Sequence, residues 1–370
     1  MTRRALYAYH YPAYHRTSSG WFEWDLVRAA APWFPGHAKP DVPLWGELDD
    51  AEPATFVRQA RAAAAAGLDG FVFDTWWRPD GATLYAETLQ RAVLPAYAAG
   101  DVPDGFRFGI LWCPVWPRVA LPVGMDQPST AQGPDRLFAF GPADLLALVD
   151  YLLPYLAHPR AIHVDGRPLL GVFHGWRLAA ELGSAGAAAV AAMRAHARAR
   201  GLPGLYLTGC MNSAADAAVL APLGLDALTS YVWWPDWNGP ARQDYAAQGA
   251  ARRADWEQLA RTQALPYLPS IAAGWDATPR GKRDWDGQRI GFPWTPVLEG
   301  ATPEAVAHAV GEGLAYLDRR GEPGDRPVFI ASWNEWSESH RLEPCVRWGD
   351  GYLRALGRLR GVGRGETGDR

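Results

Sequence analysis

Eight times along this chain a short apolar, β-prone run is followed by an Ala-, Leu- and Arg-rich helical stretch. The runs are "ALYAYH" (5–10), "LDGFVFDTWW" (68–77), "FRFGILWCP" (106–114), the second half of "IHVDGRPLLGVFH" (162–174), "LYLTGC" (205–210), "LDALTSYVWW" (225–234), "LPYLPSIAAGWD" (265–276) and "RPVFIASWNE" (326–335). Helices are expected over 51–67, 82–98, 142–156, 185–200, 214–221, 241–263, 302–319 and 351–360; Pro53 suits a first helical turn and Gly67 a stop. Asp165-Gly166 reads as a tight hairpin turn before the fourth barrel strand. Strands alternating with helices form a parallel sheet, and eight such units close it into a barrel. A doubly wound open sheet competes, but it opens on a Gly-rich turn, and neither GxGxxG nor GxxxxGK[ST] follows any run. The expected fold is α/β: a single (β/α)8 TIM barrel over 1–360, with a flexible tail over 361–370.

The segments after strands are longer than those after helices, above all 11–52, 113–141 and 274–301. In a barrel these βα loops share one face, where active sites are built. The chain holds 19 tryptophans. Only Trp256 falls in an expected helix; the other eighteen lie at strand ends or in the loops that follow. Core packing alone would scatter them, so an aromatic-rich cleft at one end of the barrel is expected, of the kind that stacks on sugar rings. The alternative is that long loops pack on themselves with tryptophan as filler.

Composition narrows the partners. A net charge of −4, with acids and bases interspersed, excludes a nucleic-acid surface. No apolar stretch approaches the length of about 20 residues that crosses a bilayer, so no membrane insertion is expected. The cysteines Cys113, Cys210 and Cys345 are odd in number and far apart, which suits a reducing compartment better than a disulfide framework. "MTRRALYAYHYP" lacks an apolar leader core and reads as the start of a cytoplasmic protein.

Acidic residues gather at the same face. Glu335 and Glu338 lie three positions apart in "ASWNEWSESHRLEP" (331–344), just past the eighth run. Residues three apart in a strand face opposite sides, so both reach one cleft only if the chain leaves β geometry after Glu335. Two carboxylates suit glycoside cleavage, one giving a proton to the leaving oxygen and the other attacking or removing a proton. Two solvated loop charges are the plain alternative. Asp74, Asp276, His10, His174 and Tyr231 also end strands, and Asp74 or Asp276 is an alternative second acid. His10, Asp74, His174, Glu335 and His340 are metal-ligand types, but no HxH, HExxH or paired-Cys spacing occurs, so neither metal nor cofactor is expected. No G-x-S-x-G supports a serine nucleophile. The basic stretch "TPRGKRDWDGQR" (278–289) is a solvated loop, or meets a phosphate or uronic acid at the cleft rim.

Several of these segments resemble one family. "YHYPAYH" (9–15), "GWFEWDLVRAAAPWFPGHAKPDVP" (20–43), "GLDGFVFDTWW" (67–77), "HPRAIHVDGRPLL" (158–170), "GWDATPR" (274–280) and above all "WNEWSESHRLEP" (333–344) are similar, in order, to glycoside hydrolase family 99 and its bacterial WbsX-like relatives. The resemblance implies a barrel that cleaves α-linked, manno-configured glycans with retention. It places the acting glutamates on Glu335 and Glu338. The first would deprotonate the sugar's own 2-hydroxyl to give a 1,2-anhydro intermediate, and the second would serve as acid and then base. The sequence departs from its relatives at His10–Tyr11, at Asp74-Thr75 and at Ser339, where glycine is common.

The expected function is a glycoside hydrolase on an oligosaccharide or polysaccharide. Glu335 and Glu338 are its catalytic pair, and His10, Tyr11, His15, Trp24, Asp74, Trp76, Trp112, His174, Tyr231, Trp233, Trp275, Asp276, Trp333 and Asn334 its substrate contacts. A glycosyltransferase of polysaccharide assembly and a catalytically silent glycan-binding barrel are the alternatives. Glu338 as acid would need an environment that holds its proton near neutral pH, with Trp333 and Trp336 as dry walls.

Overall fold

A computed structural model describes residues 3–17, 20–115, 121–125, 140–284 and 291–362. Its parallel barrel strands are β1 (Leu6–His10), β2 (Gly70–Trp77), β3 (Arg107–Trp112), β4 (Arg167–Val172), β5 (Tyr206–Met211), β6 (Ala227–Ser230), β7 (Ser270–Ala272) and β8 (Val328–Ala331). The sheet runs β7-β8-β1-β2-β3-β4-β5-β6. Closure between β6 and β7 rests on one parallel bridge, Leu228 to Tyr267, and on Thr229 Oγ1 donating to the Leu268 carbonyl. The alternative of an open doubly wound sheet is excluded by this ring. The tail expected over 361–370 lies, beyond Val362, outside the described residues.

Most expected elements form where the pattern places them. Helices cover Pro53–Ala65, Pro142–Leu156, Gly186–Ala199, Asp216–Leu220, Tyr245–Thr262, Pro303–Arg319 and Gly351–Arg360. Two start on side-chain caps, Asp244 accepting from Ala247 N and Thr302 from Ala305 N. Asp165 and Gly166 both take positive φ, as a two-residue hairpin requires. Two expectations change. The seventh run yields only a three-residue strand, because Pro266 and Pro269 carry no N–H for a ladder. The helix expected over 82–98 begins as a short antiparallel extension at Thr83–Leu84, passes through a π-helical turn and becomes α-helical only over Leu94–Ala99.

Strand parity decides which residues can reach a site. Tyr9 meets Tyr231, across the barrel, at 4.8 Å, which only an inward side chain can do, and stacks on Phe329 of the neighbouring strand β8 at 5.3 Å. His10, one residue on, turns outward onto Phe71 and Phe73 and binds Gln59 of helix Pro53–Ala65.

The tryptophans also divide. Trp24 and Trp176 join Trp256 in helices, in short segments Trp24–Ala29 and Gly175–Leu182 inserted after β1 and β4. Trp24, Trp112, Trp234, Trp294, Trp333 and Trp336 are fully buried. Part of the expected aromatic cleft is therefore a second apolar core within the loops, where Tyr11, Tyr14, Trp24, Val27, Trp76 and Trp336 pack together. Self-packing of long loops explains that share.

Candidate active site

The demand placed on the eighth strand is met. After β8 the chain makes a short 3-10 turn at Trp336–Glu338 and reverses at Ser339, whose φ is 58°. The turn swings Glu338 onto the same side as Glu335. An oxygen of each carboxylate and Nε2 of His340 lie within 4.8 Å of one another. Ser339 holds a left-handed conformation costly for a side-chain-bearing residue, and its hydroxyl is tied to Lys39 and Asp41.

Arg280, from the loop after β7, lies at the centre. Its Nη1 donates to Glu338 Oε1; Nη2 donates to Glu335 Oε1 at 3.0 Å and Glu23 Oε1 at 3.2 Å; Nε donates to Ser337 Oγ at 3.0 Å. Ser337 in turn donates to Glu23 at 2.6 Å. The guanidinium also sits 5.3 Å from the Tyr11 ring centre. His340 Nε2 reaches Glu338 Oε2 at 3.0 Å and Glu335 Oε2 at 3.3 Å. Glu335, Glu338 and His340 form a triad of metal-ligand types; Arg280 holds the Oε1 atom of each glutamate, while the Oε2 atoms face His340 Nε2. With the arginine cation on both carboxylates the group is an ion-paired cluster.

The two glutamates are electrically unlike. Burial, and then the charge of Glu338, raise the pKa of Glu335 against His340 and Arg280. Glu338 is buried too, but Arg280 and His340 outweigh desolvation and hold it below the usual carboxylate range. The expectation that Glu338 keeps its proton is therefore corrected, and the ion pair with Arg280 is the cause. The expected dry walls are corrected as well. Trp333 packs away from the pair on Phe71 at 5.0 Å, and Trp336 backs the turn, donating to Glu343 Oε2 at 2.8 Å.

Asp74 and Tyr231 complete the cluster from β2 and the end of β6. Tyr231 Oη lies 2.6 Å from Glu335 Oε2 and 3.1 Å from Asp74 Oδ2. Burial, then the Glu335 charge, raise the Asp74 pKa well above the carboxylate range. Aromatic groups line the same side. Trp275 stacks on His340 at 5.7 Å and meets Trp237 edge-on at 5.3 Å. Phe173 meets Tyr231 edge-on at 5.4 Å and carries His174 stacked on it. His174 is in the left-handed region, with its pKa lowered by burial to about 3. Beside the turn that carries Arg280 lies a cavity of about 300 Å³, with Trp21, Trp33, Leu121, Thr278 and Lys282 among its walls. Trp21 joins it to the cluster by donating to Glu23 Oε2 at 3.0 Å.

Of the residues expected at the site, Glu335, Glu338 and Tyr11 meet Arg280, and Tyr231 and Asp74 join through Glu335, with Trp76 edge-on to Tyr11 and Trp275 on His340. His174 lines the same side on Phe173, and the others hold structure. His10 faces a helix. His15 pairs with Asp50 at 2.6 Å, and though burial opposes its charge, that carboxylate raises its pKa. Trp24 Nε1 donates to the Leu48 carbonyl, Trp112 packs on Phe140, and Trp233 packs on Tyr267. Asp276 is turned to His37 and Lys39, which against burial hold its pKa low. Asn334 clamps the Tyr11 backbone through both amide atoms at 2.9 Å. Glu23, Arg280, Ser337 and His340 were missing from the expected site. A buried carboxylate pair demands a counter-cation, and Arg280 is the first base after β7; that signal was available. The basic stretch 278–289 supplies Arg280, while its residues 285–289 lie outside the described residues.

Among the described residues, no helix is long and apolar enough to cross a membrane. The model of the family described as Glycosyltransferase WbsX matches residues 6–356. The curated "Uncharacterized protein WxcX" of Xanthomonas campestris pv. campestris (strain B100) is 26% identical over 372 residues, covering 95% of this chain and 48% of that protein. The chain thus spans about half the length of the curated relatives it matches. Among solved structures, a "Glycoside hydrolase-like protein" superposes with a TM-score of 0.64 at 16% identity, covering 97% of this chain and 94% of the other. A GH99 endo-α-mannosidase from a Bacteroides species, bound to bis-tris-propane, superposes with a TM-score of 0.60 at 15% identity, covering 96% and 95%. These likenesses establish the barrel fold.

Proposed function

Because this chain belongs to the family described as Glycosyltransferase WbsX, and because its barrel gathers two carboxylates at one strand end, we propose that it is a retaining glycoside hydrolase acting on an α-linked, manno-configured or similar glycan. The observation that carries the reading is the joint placement of Glu335 and Glu338 by the turn after β8, with one oxygen of each within 4.8 Å of the other. On the route through the sugar's own 2-hydroxyl no carboxylate attacks carbon, so the separation rule for paired carboxylates need not apply, and the closeness supports only that both groups can reach one sugar. Trp275, Trp237 and Phe173 offer stacking faces, and the cavity beside Trp21 and Trp33 is of a size that takes a sugar ring or two.

The order of the pair is open to experiment. The resemblance gives Glu335 the base role toward the 2-hydroxyl and Glu338 the acid role. The charge distribution without substrate is that of the reverse order, with Glu338 ionised by Arg280. For Glu338 to donate a proton, Arg280 has to leave it for a substrate oxygen.

Two other readings have specific support. Tying both carboxylates to one buried arginine is what a silent glycan-binding barrel would show. The family description favours transfer in polysaccharide assembly. A screen of aryl α-glycosides and manno-oligosaccharides, with NMR of the first-formed anomer, separates them. Hydrolysis with the retained anomer first is the expected result. Turnover only with nucleotide sugars supports transfer, binding without turnover supports the silent barrel, and an inverted product overturns the mechanism.

A further inference from the structure

The phenol of Tyr231 lies between two carboxyl groups, Glu335 Oε2 at 2.6 Å and Asp74 Oδ2 at 3.1 Å. A tyrosine hydroxyl has one proton to donate. Two ionised carboxylates would leave one of these contacts as oxygen against oxygen with no hydrogen between. One of the two acids therefore supplies the second hydrogen. Asp74 is the acid with fewer reasons to be charged: Arg280 bonds Glu335 directly and His340 Nε2 stands 3.3 Å from it, whereas Asp74 Oδ1 is buried with no hydrogen-bond partner among the described residues. The thiols of Cys113 and Cys210 lie close enough to Asp74 to feel its charge. From the geometry we propose that Asp74 and Glu335 share one proton through Tyr231, making Asp74 the positioning residue that sets the charge of Glu335.

In the resting arrangement the carboxylic O–H of Asp74 donates to Tyr231 Oη, and the phenolic O–H donates to Glu335. A concerted shift moves the Asp74 proton to Tyr231 and the Tyr231 proton to Glu335, leaving Asp74 ionised and Glu335 protonated. No proton enters or leaves, so the charge of the three-residue chain stays at −1 while its location changes. The groups that bias the shift are Arg280, His340 and Glu338 around Glu335, and Tyr231, Cys113 and Cys210 around Asp74. Either order of the catalytic pair is served. A base at Glu335 has its resting proton parked on Asp74, and an acid at Glu335 is loaded from it.

The inference rests on reading Glu335 as a working group, but its test needs no turnover. The full chain carrying 13C-carboxyl aspartate is examined by isotope-edited infrared spectroscopy across a pH series. The wild type is expected to show a protonated aspartic carbonyl band near pH 7, where ordinary aspartates with pKa about 4 are ionised. Asp74→Asn is expected to remove the band. Tyr231→Phe is expected to shift it, since the carboxyl loses its acceptor. Glu335→Gln is expected to lower the pH at which the band disappears, since the neighbouring charge is gone. Absence of the band in the wild type, its survival in Asp74→Asn, or an unmoved titration in Glu335→Gln overturns the proposal. Tyr231→Phe that leaves the frequency unchanged does so too. A chain that shows these shifts yet hydrolyses no glycan separates failure of the proposed function from failure of this inference.

Discussion

Arg280 gives one Nη to Glu338 and the other to Glu335, so a single guanidinium from the β7 loop balances both carboxylates of the β8 turn. Glu23, from the loop after β1, takes part in the same bond set. Removing one member of a buried ion cluster leaves its partners uncompensated and typically costs about 3–5 kcal/mol. Arg280→Met should lower stability on that order, measured by urea unfolding at neutral pH. Arg280→Lys should recover only part of the loss, because a point charge cannot hold three carboxylates in the fork geometry.

Glu335→Gln and Glu338→Gln should each lower hydrolysis about 10²–10⁴-fold, the usual share of a positioned acid or base, while sugar binding by calorimetry persists. Aryl glycosides with good leaving groups should rescue whichever variant has lost the acid. Full activity in either variant removes that residue from the mechanism, and the rescue pattern fixes their order.

Ser339 separates two opposing effects. Its left-handed φ of 58° penalises any side chain, yet its hydroxyl is bonded by Lys39 and Asp41. Ser339→Ala keeps the strain and loses the bonds; Ser339→Gly loses the bonds and relieves the strain. The glycine variant should be more stable than the alanine variant by about 1 kcal/mol, read as the difference between their thermal midpoints. An alanine variant of equal or greater stability contradicts this account of the turn.

Glu343 predicts a pH slope. It accepts from Gln59 at 3.0 Å and Trp336 at 2.8 Å, and burial raises its pKa from 4.5 to about 7. Between those values the folded chain holds a proton that the unfolded chain has released, so stability falls as pH rises through that window. The full effect is on the order of 3 kcal/mol. Asp276 and Glu338 have lowered values and act with the opposite sign, losing stability only as pH falls below the ordinary carboxylate range. Glu343→Gln should reduce the upper slope, to which the raised Asp74 and Glu335 also contribute, and leave the acid limb in place, as measured by denaturant unfolding at stepped pH.

Gly70 is the close approach that lets β2 lie against β3. A Cβ there would stand 2.1 Å from the Arg107 carbonyl oxygen, which is rigid backbone. Gly70→Ala should destabilise the barrel by about 1–3 kcal/mol as an overpacking change, without altering the relative rates on different glycosides.

The barrel was legible because its signal repeats: a run, a helix and a loop, eight times over, with local errors only where proline cut β7 short or a π-turn delayed a helix. The glutamate pair was legible because a break in strand periodicity is a local event. The surrounding shell was harder to read for two reasons. Strand parity separates Tyr9 from His10 by one residue, and a residue's position at a strand end does not reveal which way it points. Arg280, His340 and Glu23 reach the pair from three separate loops, and such convergence is a property of packing. The same holds for Trp112 and Trp333, which sit at the right strand ends but spend their rings on burial.

The cluster draws Glu23 from before the second strand and Glu338 from after the eighth, with Arg280 between them. Its components are therefore separable from the barrel that displays them. A chimaera that keeps all eight strands but exchanges only the first βα loop would still fold around its main core, yet would lose one of the three acids that neutralise Arg280. Recombination between relatives thus has a natural rule: the loops after β1, β7 and β8 must be inherited together.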